Sequence, residues 1–204
     1  ASSGQDIEGV GDDVYEFVTV DQLRAYVCGG GGEDPEPEPE VAADKTITTG
    51  GNLNLGDGAS LSGNVSAGNQ LSLAADSSID GDTTSAGRTR VRSRASITGD
   101  VCAGGDVVIE SEGSVGGSIN AVGNVDVGSD ATVGGSIYSN GTVISASNAQ
   151  VSGDIHAQGS VTLRSGTQVG GTVFAGEDVL IQSSNAVVSG DVHAGDDVNL
   201  RSGT

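Results

Sequence analysis

The sequence predicts an all-β protein, a triangular β-solenoid of about nine 18-residue coils. Three observations predict this fold class: a repeat of eighteen residues, apolar residues in pairs two apart, and small residues midway between the pairs. The composition suits a narrow core, because glycine accounts for 35 of the 204 residues and aromatic residues for only 2%. Low hydrophobicity with a net charge of -20 is also typical of a disordered chain. The order of the residues along the chain decides between a solenoid and a disordered chain.

Residues 1–28 precede the repeat and predict a short terminal element. Val14–Val20 predicts a strand, and Asp21–Val27 predicts the start of a short helix. A segment of this size is too short to fold alone. It either caps the first coil of its own solenoid or is an arm donated to a neighbouring subunit. The residues expected to make this contact are Tyr15, Phe17, Val18, Leu23 and Tyr26.

Residues 29–42 predict a linker between this element and the solenoid. Gly29–Gly32 are flexible, and the acidic run at 33–40 holds all three prolines of the chain, which favour an extended conformation. The length of the linker permits either a cap or an arm.

The two cysteines suggest one covalent link. Cys28 precedes the linker, and Cys102 lies at an outward position of the fourth repeat. A bridge between them would pin the N-terminal segment to the solenoid, and two unrelated thiols are the alternative. Glycines follow Cys28 as they follow the first cysteine of a lipoprotein, but the preceding Ala25–Val27 matches a lipidation motif poorly. The chain starts at Ala1 rather than Met, so either a leader was removed or the sequence was trimmed.

Nine repeats cover residues 43–204, here numbered as coils one to nine. Positions 1, 5, 7, 11, 13 and 17 of each repeat are apolar or small; position 5, for example, is Ile or Val in eight of the nine coils. Coil eight (169–187) carries one extra residue. A disordered chain has no reason to keep six positions in phase over nine repeats, so we expect an ordered solenoid.

The spacing of these positions defines the shape of a coil. The pairs 5/7, 11/13 and 17/1 each lie two residues apart, which places both members on one face of a short strand. Positions 3 and 9 are mostly Gly and position 15 is mostly Ser, which suits tight corners. Three strands, centred on positions 6, 12 and 18, and three corners make a triangular coil. Each inward residue then stacks on its equivalent in the next coil.

Charge and motifs exclude several classes of function. A chain with a net charge of -20 repels nucleic acid phosphates and anionic lipid surfaces. No apolar run approaches the length of a transmembrane helix, so we expect no transmembrane segment in this chain. The only histidines, His156 and His193, both lie at outward position 6, and no long loop builds a substrate pocket. We therefore expect no enzyme activity and no cofactor.

Aspartates stack in two columns, Asp82 on Asp100 at position 4 and Asp178 on Asp197 at position 10. Like charges about 4.8 Å apart repel one another, and a hard cation such as calcium would relieve the repulsion. The glycine-rich nonapeptide of calcium-binding repeats is absent from the sequence. Solvated carboxylates are therefore the favoured interpretation, and no metal site is predicted.

The repeat also resembles a known family. The recurrent pattern V-x-G-D-[VI]-x-A-x-G-x-V-x-[LIV], as in Val151–Leu163 and Val188–Leu200, is similar to the bactofilins, the polymer-forming β-helix proteins of bacteria. The resemblance covers about four-fifths of the chain. It implies a right-handed triangular β-helix that polymerises end to end without nucleotide, typically in the cytoplasm. A related pattern occurs in secreted and pilus-associated surface proteins.

Two outward surfaces are candidate contact sites. Position 6 of the last four coils carries a stripe formed by Tyr138, His156, Phe174 and His193. It is either a coincidence of surface residues or a side-to-side contact, which Ile144 and Leu180 at position 12 would extend. Four arginines of coil three also face outward, either in salt bridges with acidic neighbours or against an acidic surface of another subunit: Arg88, Arg90, Arg92 and Arg94.

The function predicted is a structural protein that assembles with itself into filaments through its solenoid ends. Coils one and nine have regular inward residues and no polar cap, so either the chain is truncated or its ends stack. The assembly residues predicted are Ile47, Leu53, Leu55, Val188, Val192, Val198 and Leu200. Acidity and the first residue favour the cell surface. The alternatives are a monomeric surface-display or adhesion module and a cytoplasmic cytoskeletal element of the bactofilin type.

Overall fold

A computed structural model describes residues 46–182 and 185–201 of the chain. Three predictions lie outside the described residues: the cap or arm at 1–28 (Tyr15, Phe17, Val18, Leu23 and Tyr26), the linker at 29–42, and the role of Cys28. The described residues form 26 strands and no helix.

The strands lie in three parallel sheets, one for each side of the coil. The first sheet contains β1 (Thr46–Thr49), β4 (Asn64–Ala67), β7 (Thr83–Ser85), β10 (Val101–Ala103), β13 (Ile119–Ala121), β16 (Ile137–Ser139), β19 (Ile155–Ala157), β22 (Val173–Ala175) and β25 (Val192–Ala194). The second contains β2 (Leu53–Leu55), β5 (Leu71–Leu73), β8 (Thr89–Val91), β11 (Val107–Ile109), β14 (Val125–Val127), β17 (Val143–Ser145), β20 (Val161–Leu163), β23 (Val179–Gln182) and β26 (Val198–Arg201). The third contains β3 (Ser60–Ser62), β6 (Ser78–Asp80), β9 (Ser96–Ile97), β12 (Ser114–Val115), β15 (Thr132–Val133), β18 (Gln150–Val151), β21 (Gln168–Val169) and β24 (Val187–Val188).

The register between coils confirms the 18-residue repeat. In the first sheet Val101 pairs with Ile119, eighteen residues on, and the same offset holds throughout the first seven coils. Leu163 still pairs with Ile181, eighteen residues on, but the offset is nineteen from the pair of Gln168 and Val187 onwards. The extra residue of coil eight therefore lies between Gln182 and Val187, at the corner that joins the second sheet to the third.

The core consists of the six inward positions predicted from the repeat. Val, Ile, Leu and Ala fill most of them, and the largest fully buried side chains include Leu73, Ile79, Ile109, Ile155 and Leu163. Because these residues alternate with outward ones along each short strand, one inward set stacks on the next. The predicted fold class, an all-β solenoid of about nine coils, is confirmed.

One strand of each coil differs from the prediction. Strands of the first and second sheets are centred on positions 6 and 12, as expected, but the third strand occupies positions 18 and 1 and reaches position 2 only in β3 and β6. The reason is the preceding turn, which spans positions 14 to 17 and is closed by bonds such as Ala95 N–H to the Arg92 carbonyl (2.9 Å). The residue at position 16 is left-handed, as at Asp130 (φ 58°) and Asn148 (φ 59°). This corner therefore bends one residue later than the predicted position 15.

Candidate functional site

The junction between coils is held by a column of side-chain acceptors at position 4. The backbone N–H of Asp82 donates to Asn64 Oδ1 (2.8 Å), that of Asp100 to Asp82 Oδ1 (2.8 Å), and that of Ser118 to Asp100 Oδ1 (2.7 Å). The pattern continues through every following coil, by way of Ser136, Asp154, Thr172 and Asp191. Each coil therefore offers an acceptor to the first corner of the next coil.

Position 10 carries a shorter version of the same column. Asn124 N–H donates to Asp106 Oδ1 (2.9 Å), and Asp197 N–H donates to Asp178 Oδ1 (3.0 Å). The stacked aspartates thus point a carboxylate at a backbone donor rather than at each other. These bonds were missed in the sequence, although consecutive Asn, Asp, Ser or Thr at position 4 is the signal that would have indicated them.

Glycine at position 3 makes this close junction sterically possible. At Gly99 a Cβ would lie 2.7 Å from the carbonyl oxygen of Gly81 in the preceding coil. At Gly153 the corresponding contact, to the Gly135 oxygen, would be 2.9 Å. A side chain at position 3 would therefore push neighbouring coils apart.

The stripe predicted at position 6 is a continuous stack of rings on the first sheet. Ring centroids lie 5.0 Å apart between Tyr138 and His156, 4.7 Å between His156 and Phe174, and 4.8 Å between Phe174 and His193. The planes differ by only 8° to 13°. Tyr138 and Phe174 are each 39% exposed, so the ring edges form an apolar ridge on an otherwise polar face. We call these four residues the ring ladder.

The electrostatic setting of the ring ladder is dominated by His156. Partial burial between Tyr138 and Phe174 lowers the pKa of His156, and the nearby carboxylate of Asp154 partly offsets this by raising it. The imidazole is therefore neutral over more of the pH range than an isolated histidine.

Two apolar residues expected to extend the ring ladder do not do so. Ile144 lies in β17 and Leu180 in β23, and both strands belong to the second sheet, whereas the rings lie on the first. Position 6 and position 12 are on different sides of the triangle, so this expectation is wrong.

The arginines of coil three are exposed, and two of them form ion pairs. Arg94 donates from Nε to Asp76 Oδ1 (2.7 Å) and from Nη2 to Oδ2 (2.9 Å), while Arg90 Nε donates to Glu110 Oε1 (2.7 Å). The Arg94 guanidinium lowers the pKa of the Asp76 carboxyl. Within the described ranges, no carboxylate lies at ion-pair distance from Arg88 or Arg92.

The residues expected at the assembly faces are less buried than their equivalents inside the array. Val198 and Leu200 of coil nine are 49% and 63% exposed, whereas Val179 and Ile181, at the same positions of coil eight, are 0% and 8% exposed. A larger set packs on the core while only partly buried: Ile47, Leu53, Leu55, Leu61, Val188 and Val192.

The third sheet carries a depression that lacks the usual catalytic side chains. This shallow depression of about 310 Å³ is lined by residues such as Ser96, Ser114, Thr132 and Gln150, with no acid, histidine or cysteine among its lining residues. In residues 46–182 and 185–201 no three His, Cys, Asp or Glu side chains come together as metal ligands. The same stretch has no helix long and apolar enough to cross a membrane.

Cys102 lies in β10, where it pairs with Asn120 and Thr84 of the neighbouring strands. Its predicted partner, Cys28, lies outside the described residues, so the bridge stays a prediction.

Comparison with known proteins identifies a family for this chain. The family model for bactofilin, described as polymer-forming cytoskeletal, matches residues 71–173, half of the chain. No curated protein and no solved structure gives a match. The matched residues run from coil two to coil eight, so they cover the regular, fully stacked part of the solenoid. The chain therefore belongs to the bactofilin family of polymer-forming cytoskeletal proteins.

Proposed function

We propose that this protein is a structural subunit that forms filaments by stacking the end coils of one solenoid on those of another. The family's description as polymer-forming supports self-association. The observation that carries the proposal is that neighbouring coils are joined through all three sheets, so that the apolar inward residues of one coil are covered by the next. Val179 and Ile181 are 0% and 8% exposed beneath coil nine, whereas Val198 and Leu200, above which no further coil is described, are 49% and 63% exposed. A coil of another copy would cover such residues in the same way.

The backbone favours the same contact. In this fold each coil is paired to the next by parallel strands on all three sides, with equivalent positions of the repeat opposite each other. A strand without a neighbour presents unpaired N–H and C=O groups, which recruit another strand. Ile47, Leu53 and Leu55 of coil one offer partly buried apolar residues to such a neighbour. Stacking of coils therefore buries apolar surface and completes backbone hydrogen bonds together.

A matched pair of variants in coil nine tests the proposal. V198D places a carboxylate at an inward position, and N199D places one at the adjacent outward position. We expect the parent chain and N199D to sediment as polymers and to show filaments by electron microscopy, and V198D to remain in small species. I47D provides the same test in coil one. Equal polymerisation of V198D, I47D and the parent chain would contradict stacking through the coils.

A second candidate function rests on the ring ladder. We infer that this ridge is a side-to-side contact between two solenoids, because aromatic edges exposed in a row mark interaction surfaces. If two copies meet about a twofold axis, His156 faces Phe174 of the other copy, and Tyr138 faces His193 of the other copy. The order of the rings is thus compatible with self-pairing.

Replacing Tyr138, His156 and Phe174 together by alanine separates the two candidates. Filaments that still form but no longer bundle support the side-to-side contact. Loss of binding to a ligand or a cell with unchanged polymers would instead support the display or adhesion module.

For location, we propose the cell surface, with the cytoplasm as the alternative. The acidic composition motivates the cell surface, and the family's cytoskeletal description fits the cytoplasm no less well. Fractionation of cells, followed by protease treatment of intact cells, separates them. Digestion of the protein on intact cells would support the surface, and protection until lysis would support the cytoplasm.

A further inference from the structure

Coil three carries half of the basic residues of the chain in one strand and its flanks. Arg88, Arg90, Arg92 and Arg94 alternate with inward residues, and Thr89 and Val91 between them are fully buried. All four arginines are exposed on the outer side. In a chain with a net charge of -20, this is a local concentration of positive charge, although the adjacent coils contribute Asp76, Asp106, Glu110 and Glu112.

Two of these arginines form no ion pair with any residue that the structure describes. Glu110 stacks above Arg92 at position 14 of the next coil, but its carboxylate bonds Arg90 instead. Asp76 is held by both nitrogens of Arg94. Among the described residues, no carboxylate forms an ion pair with Arg88 or Arg92. These two residues are four apart along an extended segment, about 13 Å at 3.3 Å per residue.

The sequence supplies a segment with the matching spacing. Glu36, Glu38 and Glu40 alternate with Pro37 and Pro39 shortly before β1. Such a sequence favours the polyproline II conformation, which rises about 3.1 Å per residue, so the carboxylates of Glu36 and Glu40 are about 12 Å apart. With three residues per turn the two glutamates point about 120° apart, so the flexible Glu and Arg side chains have to bridge this angle for each carboxylate to reach one guanidinium group.

We propose that the acidic proline run at 35–40 docks along the arginines of coil three of the same chain, with Glu36 and Glu40 on Arg88 and Arg92. Five residues separate Glu40 from Thr46, and they span up to about 20 Å. Coil three lies two coils, about 10 Å, along the axis from β1, and Arg88 and Arg92 flank a strand of the second sheet whereas β1 lies in the first. One side of the triangle adds about 17 Å at 3.3 Å per residue, so a nearly extended linker is needed to reach Arg92. A tethered segment has an effective concentration in the millimolar range, which favours it over the run of another copy.

Docking would hold the linker on the side of the solenoid, away from the face where another coil stacks. It would also depend on salt, because exposed ion pairs weaken as the screening length shortens. The proposal concerns this chain's own linker and stands whether or not the solenoid polymerises.

Zero-length crosslinking tests the contact in the full chain. R88K/R92K keeps both charges and provides amines that a carbodiimide can join to nearby carboxylates. R164K is the matched control, because Arg164 is exposed at the same position of coil seven as Arg92 in coil three. Mass spectrometry should find peptides that join residue 88 or 92 to Glu36–Glu40 in several-fold higher yield than peptides that join residue 164 to the same run. Equal yields would overturn the proposal.

Two further readings complete the test. The yield should fall several-fold at 1 M salt, where the screening length is about 3 Å, and a yield unchanged by salt would overturn an electrostatic contact. A mixture of isotopically light and heavy chains should give crosslinks only within one label. Crosslinks between labels would assign the run to a second copy and overturn docking within the chain.

The parent sequence offers a measurement without lysine substitutions on the solenoid. Trypsin cleaves after Lys45, next to the acidic run, and docking should slow this cleavage. R88Q/R92Q should be cleaved at Lys45 several-fold faster than the parent, whereas R164Q should match it. Equal rates in all three proteins would count against the docked state.

Discussion

Coil three (79–96) and coil seven (151–168) have the same arrangement of strands and corners but differ in most of their inward and outward side chains. At the inward positions 5, 7 and 11, coil three has Thr83, Ser85 and Thr89, all buried. Coil seven has Ile155, Ala157 and Val161 at the same positions. Outside, coil three is basic, whereas coil seven contributes an imidazole to the ring ladder.

The polar core of coil three is tolerated because its hydroxyl groups bond to one another. Ser85 Oγ and Thr89 Oγ1 lie 2.8 Å apart, and Ser85 also donates to the carbonyl of Gly87 (2.9 Å). A buried polar group is costly only when it lacks a partner. The comparison shows that the repeat requires inward side chains that fit the narrow core and corners whose backbone groups are hydrogen-bonded. The polarity of the other side chains can differ from coil to coil.

The largest difference between the two coils should appear on truncation at position 5. I155A removes three buried carbons and should cost about 2–5 kcal/mol, because it leaves a cavity among mostly apolar inward residues. T83A removes less volume and only a weak 3.4 Å bond to the Asp100 carbonyl, so it should cost clearly less. Amide hydrogen exchange within each coil is the suitable measurement, since repeat arrays depart from two-state unfolding. Equal costs would show that the polar layer packs as tightly as the apolar one.

At position 3 a substitution should destabilise both coils, and coil three more, because Gly81 has a φ of +150° that an L side chain rarely adopts. G81A and G153A both force a Cβ against the backbone of the preceding coil, at 2.6 Å and 2.9 Å from its carbonyl oxygen. Overpacking of this kind costs about 1–3 kcal/mol. A Cβ added at Gly50 would meet no atom within 4 Å, so G50A is the control and should change stability little. A tolerated G153A would show that neighbouring coils can separate without loss.

The acceptor column should contribute a smaller and equal amount in both coils. Asp82 and Asp154 each accept one backbone N–H of the next coil, at 2.8 Å and 2.7 Å. D82A and D154A should each lower the free energy of unfolding by about 1 kcal/mol. D82N and D154N keep an acceptor and should retain most of that stability. If asparagine and alanine were equally destabilising, charge rather than the hydrogen bond would be the source of the effect.

The inward positions could be predicted from the sequence because buried residues recur at the same positions of every coil. The regular pairs at 5/7 and 11/13 correctly predicted two of the three strand centres. The third was misplaced because the left-handed residue at position 16 has no residue signature: Asp130, Glu112 and Arg94 occupy it as well as glycine.

The outward surface was only partly predictable for a related reason. Residues of one column, such as Tyr138 and Phe174, are placed together by the repeat alone. The spacing also places Ile144, at position 12, on a different side of the coil from Tyr138, so the expected extension of the ring ladder was inconsistent with the predicted triangle. The direction in which Asp100 points does not follow from the spacing. It depends on how the corner turns the chain, which the pattern of apolar residues does not record.

Protonation of the ring ladder should weaken coil seven but not coil three. The folded-state pKa of His156 lies below the value of about 6.5 for an unfolded histidine, because burial disfavours the charged ring. The unfolded chain therefore binds the proton first as pH falls. The neutral His156 ring therefore makes its full contribution to the stability of the fold above about pH 6.5, and this contribution declines as pH falls towards the folded-state pKa.

NMR titration of the His156 ring measures this effect directly. Its midpoint should lie below that of an exposed histidine. D154N should lower it further, because the Asp154 carboxylate raises the pKa while the Asn side chain still accepts the Thr172 N–H. A midpoint that rises in D154N would contradict the assigned cause.

The smallest effect is expected on the outside of coil three, at the pair of Arg94 and Asp76. Both side chains are more than half exposed, so water and salt screen the attraction. Arg94 nevertheless lowers the pKa of Asp76 through its hydrogen bonds. The contribution of the pair is present above the unfolded pKa of an aspartate, about 3.9, and is lost as pH falls through the folded value. R94Q should return the Asp76 titration midpoint towards 3.9, and R164Q should leave it unchanged. Because this pair is worth little, stability near neutral pH should hardly change in R94Q; a large loss would mean that the exposed arginines of coil three, like the core of coil seven, help to hold the solenoid together.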